Sequence, residues 1–157
     1  DRNGLMIKHG QPPYLECSSA GDRRFSAFYA RLRAYGNKSI EEIYQAAKVF
    51  EDGTTGLNWR EAKGRQPVNA AQCAQLYASL WDTYIREQPQ LIPVLTAASG
   101  ISDKFGRPGR QCQATELWRI SERERAHALQ RELPIRRRLD RTQSPSLDSD
   151  NDIEHEP

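Results

Sequence analysis

The sequence lacks any apolar run that is long enough to cross a membrane. No stretch approaches the roughly 18 consecutive apolar residues of a membrane-spanning helix. The chain also lacks a basic start followed by an apolar block, which is the pattern of a secretory signal peptide. These two absences predict a soluble cytoplasmic protein that makes no contact with membranes.

Cysteine is scarce, with three among the 157 residues. Cys17, Cys73 and Cys112 are far apart, and the sequence contains no Cys-x-x-Cys pair and no Cys/His cluster. The spacing therefore argues against a structural zinc site. Free thiols in a reducing compartment are the simplest interpretation, and we predict neither a metal nor a cofactor.

The net charge is only +2, but the charges are segregated along the chain. Residues 1–121 carry 16 Lys and Arg against 12 acids, and residues 122–141 carry seven Arg against four acids. Residues 142–157 carry five acids and no Lys or Arg. A basic body favours anionic partners such as nucleotides or nucleic acid, although an ordinary solvated surface can carry the same charge.

Hydrophobic periodicity predicts a mainly α fold with a few short strands, an α+β domain. Short apolar runs at 5–7 and 14–15 predict strands. Apolar residues at helical spacing predict one helix over 69–86 and another from Pro89 to a stop at Gly100. Residues 24–32 fit either a strand or an irregular extended segment.

The C-terminal part has a different composition. Residues 111–120 are ambiguous between strand and loop. Ser121 followed by Glu124 is a capping-box pattern, which predicts an Arg-rich helix that Pro134 stops. We therefore predict a domain over 1–120, a helical extension over 121–141, and an acidic tail over 142–157 that is disordered because it has almost no apolar residues.

The strongest local pattern lies at residues 39–48. Ser39 followed by Glu42 is a capping box, which predicts a helix start. Apolar residues follow at helical spacing, and we predict that they are buried: Ile40, Ile43, Tyr44, Ala47 and Phe50. Glu41, Gln45 and Lys48 form a second row, spaced i, i+4 and i+7, which flanks the apolar one. We call these three residues the polar row and predict that they line a pocket at the edge of the core.

A carboxylate and an amine in a partly dry pocket can perform chemistry. Desolvation lowers the pKa of the amine and raises that of the carboxylate, while their mutual attraction acts in the opposite direction. A Lys with a lowered pKa can attack a carbonyl-like carbon, and a nearby Glu can transfer protons. The alternative is that both side chains are simply solvated on an amphipathic helix.

The segment Ser39-Ile-Glu41-x-x-Tyr44-Gln45-Ala-x-Lys48 resembles the central motif of the NADAR (YbiA-like) family, approximately Ser-x-Glu-His-x-Phe-Gln-Ala-x-Lys. Residues 24–29 are similar to the family's Phe-Ser-Asn-Phe-Tyr segment, and Trp59 with its following basic residues to a downstream Trp. Residues 69–100 are similar to the helical pair around the family's Asn-Pro-x-Leu. The resemblance covers roughly residues 24–120.

Two departures from the family pattern stand out. Glu42 occupies the position of the family's His, and only Glu116-Leu-Trp118 is similar to its closing Gly-x-Asn-x-Leu-Gly signature. A divergent branch with another substrate would show such departures, and so would a module that binds a nucleotide without catalysis.

The resemblance implies a compact, mainly α domain that hydrolyses N-glycosidic bonds of ribosylated compounds. Substrates of the family include ADP-ribosylated guanine bases and a ribosylamino-pyrimidine. On this basis Lys48 attacks the anomeric carbon, Glu41 handles protons and Gln45 orients the ribose. The implied substrate-binding residues are Gln45, Trp59, Arg24, Phe25, Phe28, Arg60, Lys63 and Trp118, with aromatic rings stacking on a base and cations binding phosphate.

Each of these roles has a structural alternative, since aromatic residues are more often core and arginines are more often solvated surface. A third hypothesis is a nucleic-acid or protein adaptor that uses the Arg-rich segment at 123–138. Its Arg136, Arg137 and Arg138 would contact nucleic-acid phosphates, with an affinity that falls steeply with salt. In that case the acidic tail could fold back and mask them.

Overall fold

The computed structural model of the protein describes residues 4–8, 10–107 and 112–143, and their side chains except for Lys8 and residues 134–143. The strands are β1 (Leu5–Lys8), β2 (Tyr14–Glu16), β3 (Arg31–Leu32), β4 (Lys38–Ser39) and β5 (Gly100–Asp103). The α-helices are α1 (Ile40–Ala46), α2 (Trp59–Ala62), α3 (Ala70–Glu87), α4 (Ile92–Ala97) and α5 (Gln113–Gln143). The predicted α+β fold is confirmed.

Strand β5 is the centre of a three-stranded sheet. It pairs antiparallel with β1 and parallel with β2, so that Ile7 and Leu15 both lie opposite the fully buried Ile101. Both strands predicted near the start of the chain are confirmed. Strand β5 was not predicted. Gly100 was expected to end a helix, but it begins this strand.

Helix α3 forms the centre of the hydrophobic core, as its spacing predicted. Trp81 is fully buried on its apolar face, with Leu80 and Ile85 beside it. The hydroxyl of Tyr84, also on α3, donates a 2.7 Å hydrogen bond to the carbonyl of Arg24. This bond fixes the segment before Phe25, whose ring is fully buried in the same core.

Residues 23–30 form neither a strand nor a long extended segment. A turn of 3-10 helix spans Arg23–Phe25, and the carbonyl of Ser26 then accepts hydrogen bonds from the amides of Tyr29 and Ala30. Phe28 and Tyr29 therefore point outward, with 37% and 48% of their surfaces exposed.

Helix α5 begins at Gln113, eight residues before the predicted start at Ser121, and continues through the predicted stop at Pro134. The first turns of α5 bury three residues at helical spacing, Ala114, Leu117 and Trp118. Their burial stabilises helix before Ser121, which is why α5 starts earlier than predicted. The hydroxyl of Ser121, in the middle of α5, donates a buried 3.0 Å hydrogen bond to the carbonyl of Leu95 in α4. A capping-box pattern in mid-helix therefore gave a wrong start.

The described residues form two compact units that divide between Glu124 and Arg125. In the second unit, the described residues 125–143 belong to α5. The predicted division at residues 120 and 141 stays a prediction, and the tail beyond Gln143 lies outside the described residues. Within the part of the chain that the structure describes, no helix is long and apolar enough to cross a membrane.

Gln113 joins α5 to two segments from the start of the chain. Its Oε1 accepts a 2.7 Å hydrogen bond from the amide of Ala27, and its Nε2 donates to the carbonyl of Cys17 at 3.3 Å. We expect Gln113→Leu to lower the free energy of unfolding by about 2–4 kcal/mol, because it leaves two buried backbone groups unpaired. Urea denaturation measures this loss.

The matched control is Gln130→Leu on the exposed surface of the same helix, which should change the free energy of unfolding by less than about 0.5 kcal/mol. Equal effects of the two substitutions would contradict the bridging role of Gln113.

Candidate functional site

The capping box at the start of α1 is present, as predicted. The hydroxyl of Ser39 accepts from the amide of Glu42 at 3.1 Å, and a carboxylate oxygen of Glu42 accepts from the amide of Ser39 at 2.9 Å. The amides of Ile40 and Glu41 donate to carbonyls of the preceding segment, at residues 30 and 27. The first turn of this seven-residue helix is therefore fully hydrogen-bonded.

The polar row is more deeply buried than expected. Glu41, Gln45 and Lys48 are only 8%, 4% and 6% exposed, whereas Ile43 and Tyr44 of the predicted buried stripe are half-buried. The predicted burial of the whole apolar stripe was therefore wrong, while the prediction that the polar row lines a pocket at the edge of the core stays a prediction. The helical period identifies which residues share a face, but not which face the neighbouring elements cover.

An asparagine clamps the backbone on both sides of Lys48. The Oδ1 of Asn69 accepts from the amide of Val49 at 2.9 Å, and its Nδ2 donates to the carbonyl of Ala47 at 3.0 Å. Asn69 directly precedes α3, so these two bonds fix the end of α1 against the start of α3.

Within the polar row, Gln45 donates from Nε2 to Oε1 of Glu41 at 2.8 Å. The Oε1 of Gln45 is buried and has no hydrogen-bond partner among the described residues. Lys48 donates from Nζ to the carbonyl of Ala62 at 3.4 Å, and this Nζ lies 5.5 Å from the centre of the Tyr44 ring. No ion pair between Lys48 and Glu41 is present in the described part of the chain.

Burial lowers the pKa of the Lys48 amine below its ordinary value of 10.5, and the negative charge of Glu41 opposes this shift. The neighbouring thiol of Cys73 has a pKa raised by burial. Lys48 therefore supplies more neutral, nucleophilic amine than a solvated lysine does at the same pH.

Four of the implied substrate-binding residues meet in an aromatic–cation cluster, which we define as Phe28, Trp59, Arg60 and Lys63. The rings of Phe28 and Trp59 pack edge to face with their centres 5.2 Å apart. The Nζ of Lys63 lies 5.4 Å from the first ring and 5.8 Å from the second. The guanidinium of Arg60 lies 5.3 Å from the Trp59 ring.

Short backbone contacts connect the cluster to the polar row. The carbonyl of Ala27, next to Phe28, accepts from the amide of Glu41 at 3.0 Å. The carbonyl of Ala62, next to Lys63, accepts from Lys48. The residues that precede Phe28 and Lys63 are thus each hydrogen-bonded to a residue of the polar row.

The remaining implied residues have other surroundings. Phe25 is fully buried and Trp118 is 7% exposed, and both belong to the hydrophobic core, so neither ring offers an open face to a base. Arg24 is exposed and pairs with Asp22 at 2.7 Å. The side chains of Arg136, Arg137 and Arg138 lie outside the described residues, so the nucleic-acid prediction stays a prediction.

The opposite face of α1 borders an open groove of about 790 Å³. Its lining residues are Tyr35, Lys38, Glu42, Ile43, Ala46, Ala47, Gly56, Leu57, Asn58, Trp59, Arg60 and Leu76. Successive helix residues turn by about 100°, which places Ile43 and Ala46 opposite the polar row. Trp59 lines this groove, whereas Glu41 and Lys48 do not.

The groove was missed at the sequence level, although a signal existed. Ile43 and Ala47 were expected in the core, and together with Ala46 they form a run of small and aliphatic residues on one face. Such a run is also compatible with a surface that binds a ligand. A helix face that a ligand covers needs the same apolar residues as a face that the protein covers.

The three cysteines are free and buried. Burial raises the pKa of the Cys112 thiol to about 11 and that of Cys17 well above its usual range, so neither is an activated nucleophile. The described residues contain no group of three or more His, Cys, Asp or Glu that could hold a metal ion.

Comparison with known protein families finds no matching family model, and comparison with characterised proteins finds no significant match.

The lowered pKa of Lys48 makes stability depend on pH. Between the folded-state pKa and 10.5 the unfolded state binds the extra proton, so wild-type stability rises with pH through this window. We expect Lys48→Met to be at least as stable as wild type at pH 7, and its advantage to shrink as the pH approaches 10.5. Chemical denaturation of both proteins between pH 7 and 10.5 measures this difference.

Lys104→Met, at an exposed position, is the matched control and should show a difference that does not vary with pH. A constant difference for Lys48→Met would contradict the desolvation of the amine.

Proposed function

We propose that the protein is an N-glycosidase that acts on a ribosylated or ADP-ribosylated base. The main support is the burial of Lys48, whose lowered pKa favours the nucleophilic form, close enough to Glu41 for their charges to interact. The resemblance to the NADAR family, carried by these residues and Gln45, points to the same reaction.

In the proposed reaction, the neutral amine of Lys48 attacks the anomeric carbon, and a new carbon–nitrogen bond forms as the glycosidic bond breaks. The electron pair of the broken bond goes to the base nitrogen, which receives a proton from Glu41. Glu41 then removes a proton from water, which attacks the same carbon. The sugar is released as the free hemiacetal, and Lys48 regains its free amine.

The surroundings suit a ribosylated substrate. The unpaired Oε1 of Gln45 can accept a hydrogen bond from a ribose hydroxyl, since its Nε2 is already bound to Glu41. Trp59 and Phe28 offer rings for stacking on a base, and Arg60 and Lys63 offer cations for phosphate.

We expect Lys48→Ala to lower kcat on an ADP-ribosylated guanosine by about 10²–10⁴-fold, because it removes the nucleophile. Glu41→Gln should cause a loss of similar order. Chromatography of the released guanosine and ADP-ribose measures turnover, and a ribosylamino-pyrimidine serves as the second substrate.

Lys104→Ala is the matched control and should retain wild-type turnover. Wild-type turnover by folded Lys48→Ala would exclude the mechanism. If mass spectrometry finds a covalent sugar adduct in wild type and also in Lys48→Ala, the nucleophile lies elsewhere.

One observation favours a second candidate, a nucleotide-binding module without catalysis. The open groove brings together Trp59 and Arg60 but not Glu41 or Lys48. Tight calorimetric binding of ADP-ribose, unaffected by Lys48→Ala and accompanied by no product, would select this function. Loss of binding in both Phe28→Ala and Trp59→Ala would place the ligand at the aromatic–cation cluster, whereas loss in Trp59→Ala alone would place it in the groove.

A further inference from the structure

The groove on the outer face of α1 has an apolar interior. Ile43, Ala46, Ala47, Leu57 and Leu76 line it, and each of these side chains remains half-buried in the folded chain. Several partly covered apolar side chains around one concavity are typical of ligand sites. The volume of about 790 Å³ lies within the usual range for small-molecule sites, about 300–1,000 Å³.

Hydrogen bonds hold the walls of the groove in place. The amide of Gly56 donates to the carbonyl of Ala46 at 3.0 Å and so fixes the loop before α2 against α1. Gly56 adopts a φ of +72°, which favours glycine at this point of the loop. Asn58 caps α2 through a 3.0 Å bond from the amide of Glu61. The groove is therefore formed before a ligand arrives.

The polar edge of the groove favours an anion. Lys38 and Arg60 line it and are exposed, and neither forms an ion pair with another described residue. The only acid of the lining is Glu42, and its carboxylate accepts the amide of Ser39 in the capping box. This hydrogen bond offsets part of the negative charge of Glu42.

We propose that this groove binds a small free organic anion with an apolar body, such as an aliphatic or aromatic carboxylate. The apolar body lies on Ile43, Ala46 and Leu76, and the carboxylate lies between Lys38 and Arg60. This site is separate from the polar row, which occupies the opposite face of α1, and the proposal does not rest on N-glycosidase activity.

The test uses the full-length chain and two probes. 8-Anilinonaphthalene-1-sulfonate, an aromatic sulfonate, should bind with a rise in fluorescence, and octanoate should displace it. Octanamide has the same apolar body without the charge and should bind about fivefold or more weakly. Equal affinity for octanoate and octanamide would overturn the assignment of an anion site.

Two pairs of variants locate the site. Ala46→Leu fills the groove and should abolish displacement by octanoate, whereas Ala71→Leu adds the same volume at an exposed position of α3 and should leave it unchanged. Lys38→Ala should weaken octanoate about threefold to fivefold, and Lys104→Ala should have no effect. Circular dichroism and denaturation midpoints establish that each variant is folded.

Wild-type binding of octanoate by folded Ala46→Leu would overturn the proposal. A peptide of sequence 144–157, from the acidic tail, that displaces the fluorescent probe more strongly than octanoate does would also overturn it. Self-association of wild type that Ala46→Leu abolishes would instead identify the occupant as a second copy. Lys48→Ala should bind octanoate normally, so the groove and the N-glycosidase proposal can fail independently.

Discussion

Hydrogen bonds around Lys48 connect three helices of the described fold and keep the side chain of this residue out of water. Desolvation of an amine costs free energy, and several contacts combine to offset it. Asn69 fixes the backbone on both sides of Lys48 with two hydrogen bonds. Ala62 offers its carbonyl and Tyr44 its ring. Because Asn69 precedes α3 and Ala62 ends α2, these hydrogen bonds connect α2 and α3 to the segment that follows α1.

The aromatic–cation cluster depends on the same arrangement. Trp59 and Lys63 lie at the two ends of α2, whose last carbonyl holds Lys48. Phe28 follows the residue whose carbonyl binds the amide of Glu41. The side chains that are suited to a base and a phosphate are therefore placed by the same backbone bonds that place the candidate nucleophile and its acid.

Local signals in the sequence were reliable where a few neighbouring residues decide the outcome. The capping box of Ser39 and Glu42 and the apolar face around Trp81 are confirmed, because hydrogen bonds and spacing within one element determine them. Signals that depend on distant partners were not reliable. The pattern at Ser121 resembled a helix start, but Ser121 lies in the middle of α5. Its hydroxyl donates to the carbonyl of Leu95 in α4. The helical period of residues 39–48 could not predict that the polar row is buried, because α2 and α3 decide which face of α1 is covered.

Helix α1 presents two unlike surfaces on seven residues, one dry and polar and the other open and apolar. Residues on opposite sides of such a short helix share few neighbours, so substitutions on one side should combine with those on the other almost additively. In protein engineering, the groove face could be redesigned for a new ligand while Glu41, Gln45 and Lys48 are kept. In natural divergence, the two faces are free to evolve at different rates, each under its own selection.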